Sequence, residues 1–301
     1  MKEDAALEKA KVYFTRKLTP EAVVEMYERL GVRLPGKVAV KVHSGEKGNQ
    51  NFLRPEFMKP MVEYVNGTIV ECNTAYHGAR NETGRHWELI AYHGWNHYFP
   101  VDIMDADGND LELYPRGTHM KVNRVGRHLE NYDSMLVLSH FKGHPMGGFG
   151  GALKQLSIGC ASSAGKCLIH SAGVTDNQNE LWGKTAPQQV FCECMAETAG
   201  SVVDYFSGNI AYVSMLCNLS VDCDCCAVAE NPCMQDIGIL SSLDPVALDQ
   251  ACIDLIQYSQ DPGRDHFMER VNSRHGIHTI EAAADLGVGT RDYELICVDE
   301  L

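Results

Sequence analysis

The stretch from Ser134 to Ser171, SMLVLSHFKGHPMGGFGGALKQLSIGCASSAGKCLIHS, decides how the rest of the chain is read. Its first five residues, Ser134–Leu138, are apolar and rich in strand formers, as expected of a strand buried on both faces. The strand runs into a loop that gathers Gly143, Gly147, Gly148, Gly150 and Gly151 among His140, His144, Lys154, Lys166 and His170. Glycines let the backbone approach a ligand closely and expose N–H groups to it. A helix beginning near Gly150 adds an anion site at its first turn. Lysine suits a phosphate partner or serves as a covalent amine, and histidine suits proton transfer or metal ligation. No Gly-Lys-Ser/Thr closes the glycine run, and its spacing is not Gly-x-Gly-x-x-Gly, so neither phosphate-binding fingerprint applies.

Working outward, Val38, Val40 and Val42 alternate with more polar residues in KVAVKVH (37–43), a strand that delivers His43 and Glu46 to a loop. A second buried strand, Thr68–Cys72, ends near Asn73 and Arg80. The Arg80 fork suits a carboxylate or phosphate, or else a loop contact with Glu82. Further strands are expected at Lys11–Thr15, Ile210–Val221, Asp236–Ser241 and Tyr293–Val298. Helices are expected from Thr19-Pro20-Glu21 to near Gly31, and over Arg54–Tyr64, Glu82–His93, Pro187–Phe206 and onward from Asp244. Trp95–Met104 reads as a short strand or edge segment. The acidic run 105–110 reads as a turn, residues 119–130 as a basic surface, and the region after Ile256 as a polar connection to a short helix, Thr279–Leu286. This alternation predicts an α/β fold with a mainly parallel sheet and helices on both faces, in a single domain over 1–301 or in two lobes whose boundary the composition does not show. Polar residues at the carboxyl ends of its strands are where such sheets place their sites.

Composition narrows the function. The 301 residues carry a net charge of -14, which argues against a nucleic-acid partner. No apolar run approaches the ~20 residues of a membrane span. The charged start MKEDAALEKAK is unlike a secretory signal, so a cytoplasmic protein is expected. Twelve cysteines then point to ligands or buried thiols rather than disulfides. Cys223, Cys225 and Cys226 follow the Ile210–Val221 strand, with Cys233 a little further on. Cys-Asp-Cys-Cys is too tight for a ferredoxin run or a zinc-ribbon pair, so a metal here would need histidines from other loops. Small buried side chains at a strand end are the alternative.

The segments GHPMGGFGGALKQLSIGCAS, the following GK and HS, then CDCC and DIGILSSLDPVALDQA, together with KVAVKVHSGEKGN, resemble domain-of-unknown-function family 362. Its members are often described as uncharacterised iron–sulfur centre proteins. Many carry ferredoxin-like cysteine runs after the position of His170, but Ser171–Gln189 contains no cysteine, so no ferredoxin-type 4Fe-4S motif is carried over. The segment His144–His170 is also similar to the central motif of lactate racemases that use a nickel-pincer nucleotide. That resemblance implies a lactate-racemase-like scaffold. It also implies His144 as the proton-transfer residue, Lys154 ten residues on as the cofactor anchor and His170 sixteen further as a metal ligand. The racemases' Gly-Gly-Arg-Lys is Gly-Ala-Leu-Lys here, without the arginine.

These readings converge on a metal- or cofactor-binding protein, an enzyme that moves a proton or hydride on a small carboxylate or carbonyl substrate. His43, Glu46, Asn73, His144, Lys154 and His170 are expected in one pocket, with His144 and Lys154 catalytic. Gly147, Gly148, Gly150, Gly151, Lys154, Lys166 and Arg80 would hold a nucleotide-type cofactor. His170, His43, Cys223 and Cys225 would hold a metal ion (nickel, iron or zinc). The expected partner is a small molecule, with no nucleic acid and no membrane; a homo-oligomer or a redox partner stays open. Two alternatives stand beside this reading, an electron-transfer protein built on Cys223–Cys233 and a non-catalytic ligand-binding module.

Overall fold

The structure, a computed structural model, describes residues 9–300; the first eight residues, within the start read above as unlike a signal, lie outside the described residues. The chain begins with β1 (Ala10–Thr15), α1 (Pro20–Glu28), β2 (Val38–Lys41), α2 (Pro55–Tyr64), β3 (Thr68–Glu71), α3 (Thr83–Tyr92), α4 (Trp95–Tyr98) and β4 (Val101–Ile103). A hairpin of β5 (Asp110–Leu113) and β6 (Asn123–Gly126) leads to β7 (Ser134–His140). A smaller hairpin, β8 (Lys142–His144) and β9 (Gly148–Gly150), precedes α5 (Ala152–Cys160), α6 (Ser163–His170) and α7 (Gln188–Phe206). Then come β10 (Ile210–Leu216), β11 (Gly238–Ser242), α8 (Pro245–Gln257), α9 (Arg264–Ser273), α10 (Gly276–Asp285) and β12 (Tyr293–Cys297).

Among the described residues, eight strands form the main sheet, in the order β12-β1-β11-β10-β7-β2-β3-β4. All run in one direction except β11, which pairs antiparallel with both β1 and β10. The expected α/β architecture is thus present. The period-2 pattern sorts side chains between two apolar layers. Val38, Val40, Leu136 and Leu138 face α1 and α2, whereas Ala39, Met135 and Val137 face α5, α7 and α8. Each such fully buried aliphatic side chain stabilises the fold by roughly 1.5–3 kcal/mol, which is the reserve against which the polar interior described below is held.

Chain order sets the site. From β2 the chain steps outward to β3 and β4, then returns to lay β7 on the other side of β2. The loops after β2 and β7 therefore diverge, leaving a crevice at the carboxyl ends of the strands, the usual binding position in open α/β sheets.

Two local expectations need correction, and the basic segment keeps its cations off the crevice, as expected, while adding a strand. Trp95–Met104 opens with a helical turn before its edge strand, because Gly94 takes φ +81 and the fully buried Trp95 donates from Nε1 to the Ser44 carbonyl at 3.0 Å. The polar connection after Ile256 contains α9, whose Phe267, Met268 and Val271 supply a narrow apolar stripe in an otherwise charged segment. The basic segment 119–130 supplies β6 and a turn; its Arg124 pairs with Asp176 at 2.9 Å, away from the crevice. No helix among the described residues is long and apolar enough to cross a membrane.

The crevice depends on one close backbone contact. Gly143 donates to the Ser220 carbonyl at 2.8 Å, and a Cβ at Gly143 would lie 2.3 Å from the Val221 carbonyl oxygen. Gly143→Ala should therefore lower the unfolding free energy by about 1–3 kcal/mol through overpacking. Gly84→Ala, in open space on α3, should raise it by about 0.5–1 kcal/mol. Chemical denaturation of the two variants checks both signs.

Candidate active-site cavity

The crevice encloses a cavity of about 250 Å³. Of the residues singled out from the sequence, His43, Arg80, His144, Gly150, Gly151, Lys154, Lys166, His170 and Cys225 line it. Cys223 lies behind Cys225. Gly147, Gly148, His140, Glu46 and Asn73 sit off the wall.

The wall carries five cations, Lys41, Arg80, Lys142, Lys154 and Lys166, but one carboxylate, Glu71. Lys41, at the end of β2, reaches Glu71 at the end of β3 at 2.7 Å, and Glu71 also accepts from the Ser44 N–H at 2.8 Å and hydroxyl at 2.9 Å. Burial pushes the Glu71 carboxyl up, but the charges of Lys41 and Arg80 overcome it and hold the group at about 2. Arg80 does not pair with Glu82. It bonds Glu46 at 3.1 Å and the Tyr76 hydroxyl at 3.0 Å, and approaches Glu71 at 3.8 Å. Glu46 is thereby a buried support for Arg80 rather than a wall residue.

Behind β7, Asp224 takes Lys142 at 2.8 Å and His140 at 2.9 Å. Burial alone would raise the Asp224 carboxyl, yet His140 and Lys142 hold it far below the usual range. His140 spends its other nitrogen on the Cys217 carbonyl at 2.7 Å, so it has none free for a ligand. Asn73 is likewise spent, on Thr83 at 3.0 Å and His86 at 3.1 Å.

Three buried carboxylates thus serve Lys41, Arg80 and Lys142, and none lies within ion-pair distance of Lys154 or Lys166; the buried Asp105, spent on the N–H groups of Asn73 and Ser163, acts on Lys166 only from further off. Among the described residues the Lys154 ammonium has no ion-pair partner. Lys166, 6% exposed, donates to the Ala161 carbonyl at 2.6 Å and has two N–H donors left. Burial depresses its ammonium below the ordinary lysine value. In a chain of net charge -14, this cavity is a positive enclosure.

The imidazoles differ in tautomer, as their backbone partners dictate. His144 Nδ1 accepts from the N–H groups of Gly147 at 2.8 Å and Met146 at 3.1 Å, so the neutral ring carries its proton on Nε2. His43 has the same form, accepting from the Gly45 N–H at 3.1 Å. His170 is the reverse: Nδ1 donates to the Lys166 carbonyl at 2.7 Å, which leaves the Nε2 lone pair free on a cavity-lining ring. Burial first, then Lys154, holds His144 at about 4. Burial and the same lysine outweigh the Lys166 carbonyl bond to hold His170 at about 4 as well.

His144 Nε2 lies 3.8 Å from Cys225 Sγ, and ligand atoms of His144, Cys223 and Cys225 all fall within 4.8 Å of one another. This is a His/Cys group within reach of one metal ion. Burial raises the Cys223 thiol to about 11, so metal would have to displace thiol protons, and the Nε2 proton of His144 as well. Cys226 is lowered by its contact with the Cys225 thiol, and Cys233 bonds the Leu219 carbonyl, apart from this group.

The glycines divide by task. Gly150 and Gly151 line the cavity. Gly147 caps His144, and Gly148, at φ +78, packs its backbone against Gly276. The expected anion site at the first turn of α5 is already filled. Asp249 accepts from the N–H groups of Ala152 at 2.8 Å and Leu153 at 2.9 Å, and Gly151 leaves room for it. Its burial pushes the carboxyl up to about 7 against those two bonds. Lys41, Glu71, Lys142, Asp224, Asp249 and Gln155 were not singled out from the sequence. The alternation of charge at strand ends was the available signal for the first three.

Both rings have native values near 4 against an ordinary 6.5. Between those values the unfolded chain binds the extra protons, so these two groups cost stability as pH falls through that window. Denaturation at stepped pH should show this decline, and His144→Gln should flatten it. Long-range 15N NMR should report opposite neutral tautomers for His144 and His170; identical tautomers would contradict the assigned partners.

Among curated proteins, none matches the sequence significantly. Solved structures similar to it include the lactate racemase apoprotein from Thermoanaerobacterium thermosaccharolyticum, 14% identical with a TM-score of 0.37, over 70% of this chain and 52% of that one. Another is a structural-genomics protein from Thermotoga maritima, 10% identical with a TM-score of 0.45, over 88% of this chain and 58% of that one. The chain therefore spans little more than half the length of either. The sequence model of one family matches residues 38–254, most of the chain, and the protein belongs to that family, Domain of unknown function (DUF362).

Proposed function

We propose that the protein is an enzyme that binds a small carboxylate in this cavity and moves a proton at the carbon beside it. The observation that carries this reading is the pair of ammonium groups, Lys154 and Lys166, left without carboxylate partners in an enclosed space. An anionic ligand completes their charge, and expulsion of water strengthens the attraction. Lys154 takes the carboxylate. Lys166 has spare donors for the second carboxylate oxygen, on which negative charge develops when a proton leaves the adjacent carbon.

The two ring forms supply the remaining parts. His170 presents a lone pair and takes the proton as base, becoming imidazolium until the proton returns; the neutral His144 presents an N–H that donates a hydrogen bond to the developing charge and keeps its proton. With values near 4 both rings are neutral at pH 7, as these roles require. A bound carboxylate offsets Lys154, one of the charges that depress both rings, and so raises the basicity of His170 when substrate is present.

A second reading is favoured by the His144–Cys223–Cys225 group, whose soft donors suit zinc, nickel or iron. A nickel-pincer nucleotide of the racemase type fits two of its expected positions. Lys154 has a free amine to hold it and His170 a free nitrogen for its metal, and such a group supplies a hydride acceptor when bound. The racemases' arginine has no counterpart, because Leu153 is buried in the core.

Incubation with 2-hydroxy acids in D2O, followed by proton NMR, tests the first reading. Deuterium should enter the carbon beside the carboxylate, and His170→Gln or His144→Gln should slow this by about 10²–10⁴-fold. Binding of these acids without any exchange would exclude proton transfer. Metal analysis after anaerobic purification tests the second. It expects a stoichiometric soft metal that is lost in Cys225→Ser, with protons released on rebinding; no metal above trace contradicts it.

A further inference from the structure

One polar group on the cavity wall is left unmet by the protein. Gln155 follows Lys154 on α5, lines the cavity and is 6% exposed, yet its Nε2 is buried with no hydrogen-bond partner. Buried amide donors are nearly always satisfied, so one that is not marks either a defect or a place for a ligand atom. The surroundings favour a ligand atom. Gly159, one turn further on, also lines the cavity, and a Cβ there would come within 2.9 Å of Gln155 Oε1 and 2.7 Å of Lys41 Cε. The absence of a side chain at Gly159 therefore lets the carboxamide lie flat beside the Lys41 stem. The amide is held in place rather than swung out to water. The unmet Nε2 position has almost no accessible surface, so the other end of the amide is the one a ligand can reach; the choice of O and N at the tip rests on the surrounding network, and exchanging them puts the donor at that end.

We propose that Gln155 is a specificity-determining residue, whose amide bonds a neutral oxygen, carbonyl or hydroxyl, on the carbon next to the substrate carboxylate. This rests on the carboxylate reading of the cavity. The charge of the ligand is matched by Lys154 and Lys166, and a neutral amide adds little to charge recognition. What it adds is discrimination: a ligand that lacks the neighbouring oxygen leaves the amide unmet in the complex as well. The site should thus prefer oxygen-bearing carboxylates over plain ones by roughly 10- to 100-fold, the affinity equivalent of one buried donor satisfied.

The test is calorimetric titration of the full chain with 2-hydroxybutanoate, 2-oxobutanoate and butanoate, for the wild type, Gln155→Leu, Gln155→Met and Lys154→Ala. The wild type should prefer the oxygen-bearing acids. Both Gln155 variants should lose that preference while holding butanoate within about twofold of the wild type, since the ammonium groups are intact. Removal of an unmet amide should also raise their unfolding midpoint by roughly 2–4 °C, which separates this outcome from misfolding. Lys154→Ala should weaken all three acids together. A preference that survives in both Gln155 variants overturns the role of Gln155 alone. Failure of the wild type to bind any of the three acids overturns that role and the carboxylate reading together.

Discussion

A charge moved out of water must be met by another charge or by several hydrogen bonds, and the crevice of this protein follows from how that requirement is satisfied and where it is not. Glu71 sits at the end of β3 because Lys41, on the adjacent strand, and Arg80, on the following loop, both converge on it. Asp224 sits behind β7 for the same reason, between His140 and Lys142. These clusters clamp the loops after β2, β3, β7 and β10 into one wall. Loss of a single carboxylate would leave a buried cation exposed to its neighbours' field, so the wall is held as a unit. Lys154 and Lys166 stand outside this balance, and that surplus gives the wall a preference for anions.

The histidines respond to the same field. His144 and His170 are driven neutral by burial and by Lys154, while their backbone partners choose opposite tautomers. One ring therefore faces the cavity as a donor and the other as an acceptor, without a dedicated carboxylate on either. The thiols of Cys223 and Cys225 lie beside the donor ring, the first raised by burial and the second, against its bond with Cys223, by the neighbouring Cys226 thiol and then by burial. The same positions can serve proton transfer with their protons in place, or a soft metal once those protons leave. Which occurs depends on what neutralises the surplus charge first.

Much of this was legible in residues 134–171. The strand and a helix beginning near Gly150 were read from that segment, and His144, Lys154 and His170 were expected in one pocket; the β8–β9 hairpin and α6, which carry His144 and His170 to the cavity, were not. The grouping of Cys223 and Cys225 with a histidine from another loop was legible in outline, because Cys-Asp-Cys-Cys is too tight to close a site by itself. The charge pairs were not. Lys41 and Glu71 read as the polar half of a strand alternation; the β2–β3 register sets Lys41 opposite Val70, and the two charges meet only where their strands end at the crevice. Asp249 read as an ordinary helix residue, since its role as a cap for α5 comes from a contact 97 positions apart in sequence. Gln155 carried no signal at all: a glutamine one residue after a lysine on a helix is commonplace, and its unmet amide exists only in the packed structure. The α9 stripe was hidden by the charged residues around it.

The surplus positive charge is the central claim, and a matched pair of ligands tests it most directly. Calorimetry of the full chain at fixed ionic strength should be run with a 2-oxo acid and with its primary amide, which keeps the shape and removes the charge. The account predicts that the acid binds, that the amide binds at least tenfold more weakly, and that the gap closes in Lys154→Ala. Equal binding of acid and amide would contradict it.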